Sequence, residues 1–184
     1  MGVEVPRRLL EEGRIEEWNA WRKEHPGVRP NLLGIDLFMA SLHNADLSRV
    51  SMSGADLFGA DLSGTDLRGA NISSADIRKA NLARSNLSGA DLTEAKLRDA
   101  RLSDADMSRA TLAGADLTAA NLSWANLSGA SLFRANLFDA DLTGANLRNA
   151  NLRESVCRGA KFINCELTGI QTYEWVARVR TCGG

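Results

Sequence analysis

The stretch that decides the fold is ADLTEAKLRDARLSDADMSRATLAGADLTAANLSWANLSGA, residues 90–130. Ala stands at every fifth position in it, and Leu or Met follows two residues after each Ala. A five-residue period does not fit an α-helix, whose period is 3.6 residues. It does not fit a flat β-sheet either, because an odd period would turn successive repeats to opposite faces. The stretch therefore predicts that each repeat forms one short straight segment followed by one turn, which are one side and one corner of a coil.

The same period extends far beyond this stretch. With the large apolar residue taken as the centre, position i, the centres run from Leu37 to Leu167 and define 27 pentads over residues 35–169. Leu fills 21 of the centres, and Ala fills 21 of the i−2 positions. On an extended segment these two side chains point the same way, so each pentad turns one large and one small apolar residue inward. The other three positions carry polar or turn-forming residues.

A closed coil of short sides, stacked as a solenoid, satisfies this pattern. The pentads ADLSG at 60–64, ANLSG at 125–129 and ADLTG at 140–144 resemble the pentapeptide-repeat family, whose pattern is A-D/N-L-S/T-x. The resemblance implies an all-β fold, a right-handed quadrilateral β-helix with four pentads per coil and about seven coils. Residues twenty apart would then lie directly above one another. At about 4.8 Å per coil, the rod would be roughly 33 Å long.

Both ends of the chain depart from the period. Residues 1–29 predict a helical N-terminal cap between Pro6 and the stop signal at 25–27, with Trp18 and Trp21 covering the first coil. A docking helix for a partner is the alternative interpretation of this segment. The β-helix is expected over 30–170, and a C-terminal cap or dimerisation segment with a short helix over 171–184. The candidate residues of that segment are Tyr173, Trp175, Val176 and Val179. The family resemblance adds the expectation of a homodimer formed through the C-terminal ends.

The composition of the chain argues against several classes of function. The chain has 184 residues, a net charge of −1, three Cys and two His. The weak charge argues against direct nucleic-acid binding and against a polybasic membrane anchor, and the absence of a signal peptide and of a long apolar run predicts a cytoplasmic protein. Neither His25 nor His43 has partners at metal-ligand spacing, and an interior filled by Leu and Ala leaves no catalytic cavity. We therefore expect no enzyme activity, no metal and no cofactor.

The resemblance implies a non-catalytic, protein-binding role. Some bacterial family members protect DNA gyrase or topoisomerase IV from inhibitors, in antibiotic resistance or self-immunity, and are thought to mimic DNA. A B-DNA rod of about 33 Å carries roughly 20 negative charges, whereas the repeat region here has 16 acids and 14 bases. The first coils are more acidic. The candidate partner-binding residues are Asp36, Asp46, Asp56, Asp61, Asp66, Asp76 and Trp124.

A general interaction scaffold with another partner is the alternative function. In that case the Asp residues fill the ordinary Asp/Asn position of the repeat. Trp124 is a partner anchor in one interpretation and lies on a neighbouring coil in the other. The twenty-residue spacing also predicts three cation–π stacks, which pair Phe58 with Arg78, Phe133 with Arg153, and Phe138 with Arg158.

Overall fold

The structure, a computed structural model, describes residues 5–172. Helix α1 spans Arg7–Glu11 and helix α2 spans Ile15–Glu24. Gly13, with a φ of +68°, turns the chain between the two helices. From residue 31 onward, parallel bridges join residues twenty apart, from Asn31 with Ser51 to Asn151 with Gln171. The described chain is thus a coil of four pentads per turn. Its sides are single bridge residues rather than extended strands, because the corners take most of each pentad.

Each corner is a tight turn with one left-handed residue. The N–H of Ala40 donates to the carbonyl of Leu37 at 3.0 Å, and this bond recurs from pentad to pentad. Position i+2 has a positive φ at every corner from Gly34 to Gly169, while position i+1 does not, which fits a type II turn. Many of these corners are not glycine; Ala119 and Trp124 are examples. A left-handed conformation costs such residues roughly 1–2 kcal/mol, so the bonding between coils must offset it.

The core is the double column that the sequence predicts. Apart from Ala40 and the last coil, the Leu centres and the Ala residues at i−2 are buried along the rod, with Leu102 at 0% and Ala100 at 1% exposure. Burying one Leu side chain stabilises the fold by about 1.5–3 kcal/mol. Thr65 and Ser85 replace Ala at i−2, and their hydroxyls donate to backbone carbonyls of their own coils at 2.7 Å. The interior therefore contains these polar groups without leaving them unpaired.

Helix α2 lies on the first coil. Leu10, Ile15 and Trp18 are buried. The indole N–H of Trp18 donates to the carbonyl of Asp46 at 2.8 Å. The side chain of Asn19 donates to the carbonyl of Asn44 at 3.0 Å and accepts the N–H of Asp46 at 2.8 Å. The two helices thereby cover the apolar start of the rod.

Trp21 occupies a different environment from Trp18. It is half-buried and stacks between Trp18, at 5.4 Å, and His25, at 4.9 Å between ring centroids. The expected C-terminal helix and its residues Tyr173, Trp175, Val176 and Val179 lie outside the described residues. Over residues 5–172, neither helix is long and apolar enough to cross a membrane.

Candidate functional site

All six candidate Asp residues make the same local hydrogen bond. In each, Oδ1 accepts the backbone N–H two residues later, at 3.0 to 3.3 Å. Asn71 makes the same bond to the N–H of Ser73 at 3.0 Å. This N–H, at i+1, is the one backbone donor of a pentad that bonds neither an adjacent coil nor the turn. An Asp or Asn at position i−1 thus satisfies this N–H with a short side chain that carries an oxygen acceptor, and the negative charge is not required for the turn. Lys96 and Arg101 hold the same position without such an acceptor.

The six carboxylates do not share one surface. We number the four faces by their first-coil centre: face 1 contains Leu32, face 2 Leu37, face 3 Leu42 and face 4 Leu47. Bridges stack Asp36, Asp56 and Asp76 on face 2, followed by Lys96. Asp46 and Asp66 stack on face 4, and Asp61 lies on face 3. The acidic character of the first coils is consequently divided among three faces.

Arginines neutralise part of this charge. Arg68 donates to both carboxylate oxygens of Asp66. Partial burial opposes ionisation of Asp66, but the hydrogen bonds from Arg68 and its charge outweigh it and lower the pKa of Asp66. Arg78 donates to Asp76 at 2.8 and 2.6 Å, and these bonds lower the pKa of Asp76. Both carboxylates are thus already paired with an arginine of the same chain.

The other four candidate carboxylates differ in their ionic partners. Asp46 lies 3.5 Å from the Nε of Arg22. Partial burial opposes ionisation of Asp61, but hydrogen bonds from Ser63 and Asn81 outweigh it, so that its pKa is lowered. Among residues 5–172, Asp36, Asp56 and Asp61 form no ion pair; the first two of these are neighbours in one column.

An aromatic column with one exposed end lies beside those two carboxylates. The rings of Phe38 and Phe58 stack with centroids 5.7 Å apart and planes 10° apart. The guanidinium of Arg78 lies 5.3 Å above the Phe58 ring, which confirms that predicted stack, and Lys79 lies 5.8 Å from the same ring. We call Phe38, Phe58 and Arg78 the aromatic ladder. At its lower end, Phe38 is 58% exposed and the adjacent Met39 is 62% exposed.

The other two predicted stacks are wrong. The Phe133 ring is contacted by the adjacent turn residue Arg134, at 4.9 Å, and not by Arg153. Arg134 is held there by Glu154, one coil further on, at 2.6 Å. Among residues 5–172, no cation lies over the ring of Phe138, which excludes the Phe138–Arg158 stack. A twenty-residue spacing aligns the backbones, but competing side chains decide which cation meets a ring.

The Trp124 side chain packs against the neighbouring coil but remains accessible to solvent. A Cβ built on Gly144 would lie 2.5 Å from its ring, so glycine provides the space that the indole occupies. The residue nevertheless remains 63% exposed. It is a turn residue of face 3, whereas the aromatic ladder is on face 2. The structure therefore does not bring Trp124 together with the unpaired Asp36 and Asp56.

Sequence reasoning missed the lower end of the ladder. Phe38 precedes Phe58 by twenty residues at the same pentad position, so the pair was visible in the sequence as an aromatic column. Met39 precedes Gly59 in the same way, and a Cβ on Gly59 would meet the Met39 sulfur. The signal was the recurrence of large side chains at the turn positions of successive coils.

The family model for pentapeptide repeats matches the sequence in eight copies, over residues 35–73, 70–109, 95–132 and 130–169. The chain belongs to the pentapeptide-repeat family. Members of this family form right-handed β-helices, and the predicted fold is confirmed at that level. No curated protein sequence matches the chain.

One solved structure supports the same fold. Full-length QnrB1, described as a plasmid-mediated fluoroquinolone resistance protein, aligns with a TM-score of 0.63 at 19% identity, over 84% of this chain and 97% of QnrB1. HetL, involved in heterocyst differentiation regulation in the cyanobacterium Nostoc sp., is 32% identical over 83% of this chain and 90% of HetL, with a TM-score of 0.30. At these levels the comparisons establish family and fold, and the function must be argued from the surface.

The titratable residues outside the acidic columns offer no assembled chemical site. Within residues 5–172, no group of three His, Cys, Asp or Glu side chains is placed to hold a metal ion. Cys157 and Cys165 are free thiols, and burial raises the pKa of Cys157 to about 11. That thiol is protonated at neutral pH and packs against the core.

Proposed function

We propose that this pentapeptide-repeat protein is a non-catalytic rod that docks a protein partner on the first coils of face 2. One observation carries the proposal: the exposed ring of Phe38, stacked on the partly buried ring of Phe58, lies beside Asp36 and Asp56, which have no ionic partner among residues 5–172. Aromatic side chains and charged groups at the centre of a contact contribute most of the binding energy in protein interfaces.

The chemistry of this surface favours an arginine on the partner. Arg78 already shows the arrangement within the chain: it donates to Asp76 and its guanidinium lies over the Phe58 ring. Asp56 lies one coil below Asp76 and Asp36 lies two coils below it, and among residues 5–172 neither of them forms an ion pair and no cation lies over the Phe38 ring. A cation over an aromatic ring contributes about 0.5–1 kcal/mol at an exposed site and more when water is excluded. A partner guanidinium bound to Asp36 would extend the ladder over the free side of Phe38.

A type II topoisomerase such as DNA gyrase or topoisomerase IV is the specific partner we propose. Surfaces that bind DNA carry Arg and Lys for phosphate contacts, which suits the charge of this face. QnrB1, a fluoroquinolone resistance protein by its description, shares the rod fold. Mimicry of a whole DNA duplex is not part of the proposal, because the candidate carboxylates are divided among three faces and Asp66 and Asp76 are already paired.

A gyrase supercoiling assay, with and without a quinolone poison, tests the proposal. We expect the wild-type protein to preserve supercoiling in the presence of the poison, and the double variant Asp36→Asn/Asp56→Asn to lose this effect. Asn keeps the turn hydrogen bond, so folding is unchanged. The matched control is Asp91→Asn/Asp106→Asn, which removes the same charge at i−1 on faces 1 and 4. Equal loss in both double variants would contradict the assignment to face 2.

If high micromolar wild-type protein changes neither supercoiling nor poisoning, gyrase is excluded as the partner. The alternative is a scaffold for another protein that uses the same surface. A photo-crosslinking residue at position 38, compared with one at position 138, distinguishes the cases. Phe138 is at the same pentad position of face 2, five coils away, but follows Asn136 instead of Asp. Crosslinks from both positions alike, or from neither, would contradict docking on the aromatic ladder.

We also propose that the C-terminal end forms a homodimer contact. Val156 and Ile163, in the last coil, are about half exposed, and the core residues Phe162 and Leu167 are only partly buried. The segment beyond residue 172 contributes Tyr173 and Trp175 to the sequence. Sedimentation equilibrium of the full chain and of a chain ending at 172 tests this proposal. A full chain that sediments as a monomer would contradict it.

A further inference from the structure

A cleft lies where helix α2 meets the first two coils of face 4. Its volume is about 480 Å³, which is within the range of small-molecule sites. We call it the cap cleft. Its lining residues are Asn19, Arg22, Lys23, Pro26, Asp46, Ser48, Arg49 and Arg68. Four of these are cations and one is a carboxylate, so the lining carries a strong positive excess in a protein whose net charge is −1.

Arg22 contributes a buried guanidinium to this lining. It is only 5% exposed. Its Nη1 donates to the carbonyl of Val28 at 3.0 Å and its Nη2 to the carbonyl of Ser48 at 2.8 Å. Its Nε has no hydrogen-bond partner within residues 5–172 and lies 3.5 Å from Oδ2 of Asp46. Asp46 in turn accepts hydrogen bonds from Ser48 through Oδ1. The buried positive charge is therefore only partly compensated by the protein.

Three exposed cations complete the lining. In the part of the chain that the structure describes, Lys23 and Arg49 form no ion pair. Arg68 uses Nε and Nη2 for Asp66, and its Nη1 makes no hydrogen bond to residues 5–172. Lys23 comes from the helical cap, whereas Arg49 and Arg68 come from successive coils of the rod. Donors from two separate parts of the fold thus meet at one cleft.

We propose that the cap cleft binds a small anion that carries phosphate groups, such as a diphosphate or a nucleoside diphosphate. Guanidinium groups match the geometry of phosphate oxygens, and lysine adds a mobile point charge. The limited volume of the cleft favours a small ligand over nucleic acid. A nucleic acid would need a basic surface along the rod, and face 4 instead carries Asp66, Asp106 and Glu166 among its bases. Since the ligand would contact both α2 and the coils, it would hold the cap on the rod.

Isothermal titration calorimetry on the full chain tests this assignment, with inorganic pyrophosphate and ADP as probes. We expect binding at one site per chain, weakened about tenfold or more in Lys23→Ala/Arg49→Ala, because each lost contact is a charged hydrogen bond. The matched control is Arg109→Ala, at the same turn position of face 4, three coils from Arg49. It should bind as the wild type does. Arg22 is left intact because it holds the cap in place.

Three results would overturn the assignment. The first is no binding of either probe up to roughly 1 mM, the weakest affinity that such a site would have. The second is an equal loss of binding in Arg109→Ala, which would mean a general attraction to surface arginines. The third is binding of a single-stranded oligonucleotide without binding of pyrophosphate or ADP, which would make the cleft part of a nucleic-acid surface.

Discussion

Replacement of Asp56 by Asn is expected to leave the rod as stable as the wild type, whereas replacement by Ala is expected to destabilise it. Oδ1 of Asp56 accepts the N–H of Phe58 at 3.0 Å, and no other acceptor in the pentad bonds this donor. Asn retains the acceptor and Ala removes it. Both replacements remove the charge, so the difference between the two variants isolates the hydrogen bond from the electrostatics.

The expected magnitude follows from two opposing effects. A lost hydrogen bond of this type costs about 0.5–1.5 kcal/mol. Asp56 also lies one coil from Asp36 and from Asp76, and two like charges about 5 Å apart in water repel by roughly 0.8 kcal/mol before salt screening. Asp56→Asn should therefore be neutral or slightly stabilising. Asp56→Ala should be about 1 kcal/mol less stable than Asp56→Asn, which corresponds to about 2–4 °C in Tm for a chain of this size.

Thermal and urea unfolding followed by circular dichroism measure this difference. Asn71 provides the internal reference, because it holds the same position naturally and Asn71→Ala should cost a similar amount. If Asp56→Asn and Asp56→Ala are both as stable as the wild type, the Asp/Asn position does not act through its acceptor. If Asn is as destabilising as Ala, the charge itself stabilises the turn, and the structural account of the acidic columns is refuted.

Three further predictions concern the core, a turn and a carboxylate. Leu102→Ala should cost about 2.7–5 kcal/mol, measured by urea unfolding, because the coils above and below prevent the cavity from closing, and Leu102→Asp should prevent folding by placing a charge there. Gly144→Ala should destabilise by roughly 1–2 kcal/mol, since its φ is +73°, and the displaced Trp124 should change the near-ultraviolet circular dichroism. The pKa of Asp76 is lowered in the folded state by Arg78, so its contribution is complete above the unfolded value of about 3.9 and is lost as the pH falls through the folded value. The stability difference between wild type and Arg78→Ala should therefore shrink below about pH 4.

The shared turn bond changes how acidity in this family should be interpreted. Asp and Asn are equivalent for the turn, so an Asp column is not by itself a sign of DNA mimicry. The informative residues are those whose second oxygen has no partner, as at Asp36 and Asp56, and which lie beside exposed apolar groups. The same reasoning argues against a binding role for Asp66 and Asp76, because these carboxylates already form ion pairs with Arg68 and Arg78.

Much of the fold could be predicted because the repeat is local. A five-residue period fixes which side chains point inward, and a coil of twenty residues fixes which ones stack, so the columns of Leu, Ala and Asp could be placed from the sequence. The Phe58–Arg78 contact followed from that rule. The rule failed at Phe133, where Arg134, held by its ion pair with Glu154, lies over the ring in place of Arg153. Competition of this kind between neighbouring side chains does not follow the repeat.

The sequence by itself determined the rod and the coil and face on which each residue of the repeat lies, since neighbouring pentads impose the same geometry on one another. Only the tertiary structure decided how the non-repeating cap sits on the rod. Arg22 meets Ser48 across 26 residues and Trp18 meets Asp46 across 28, and no periodicity relates these positions. The cap cleft arises from such contacts, because its charges come from two segments that approach each other only after the apolar end of the first coil has been covered.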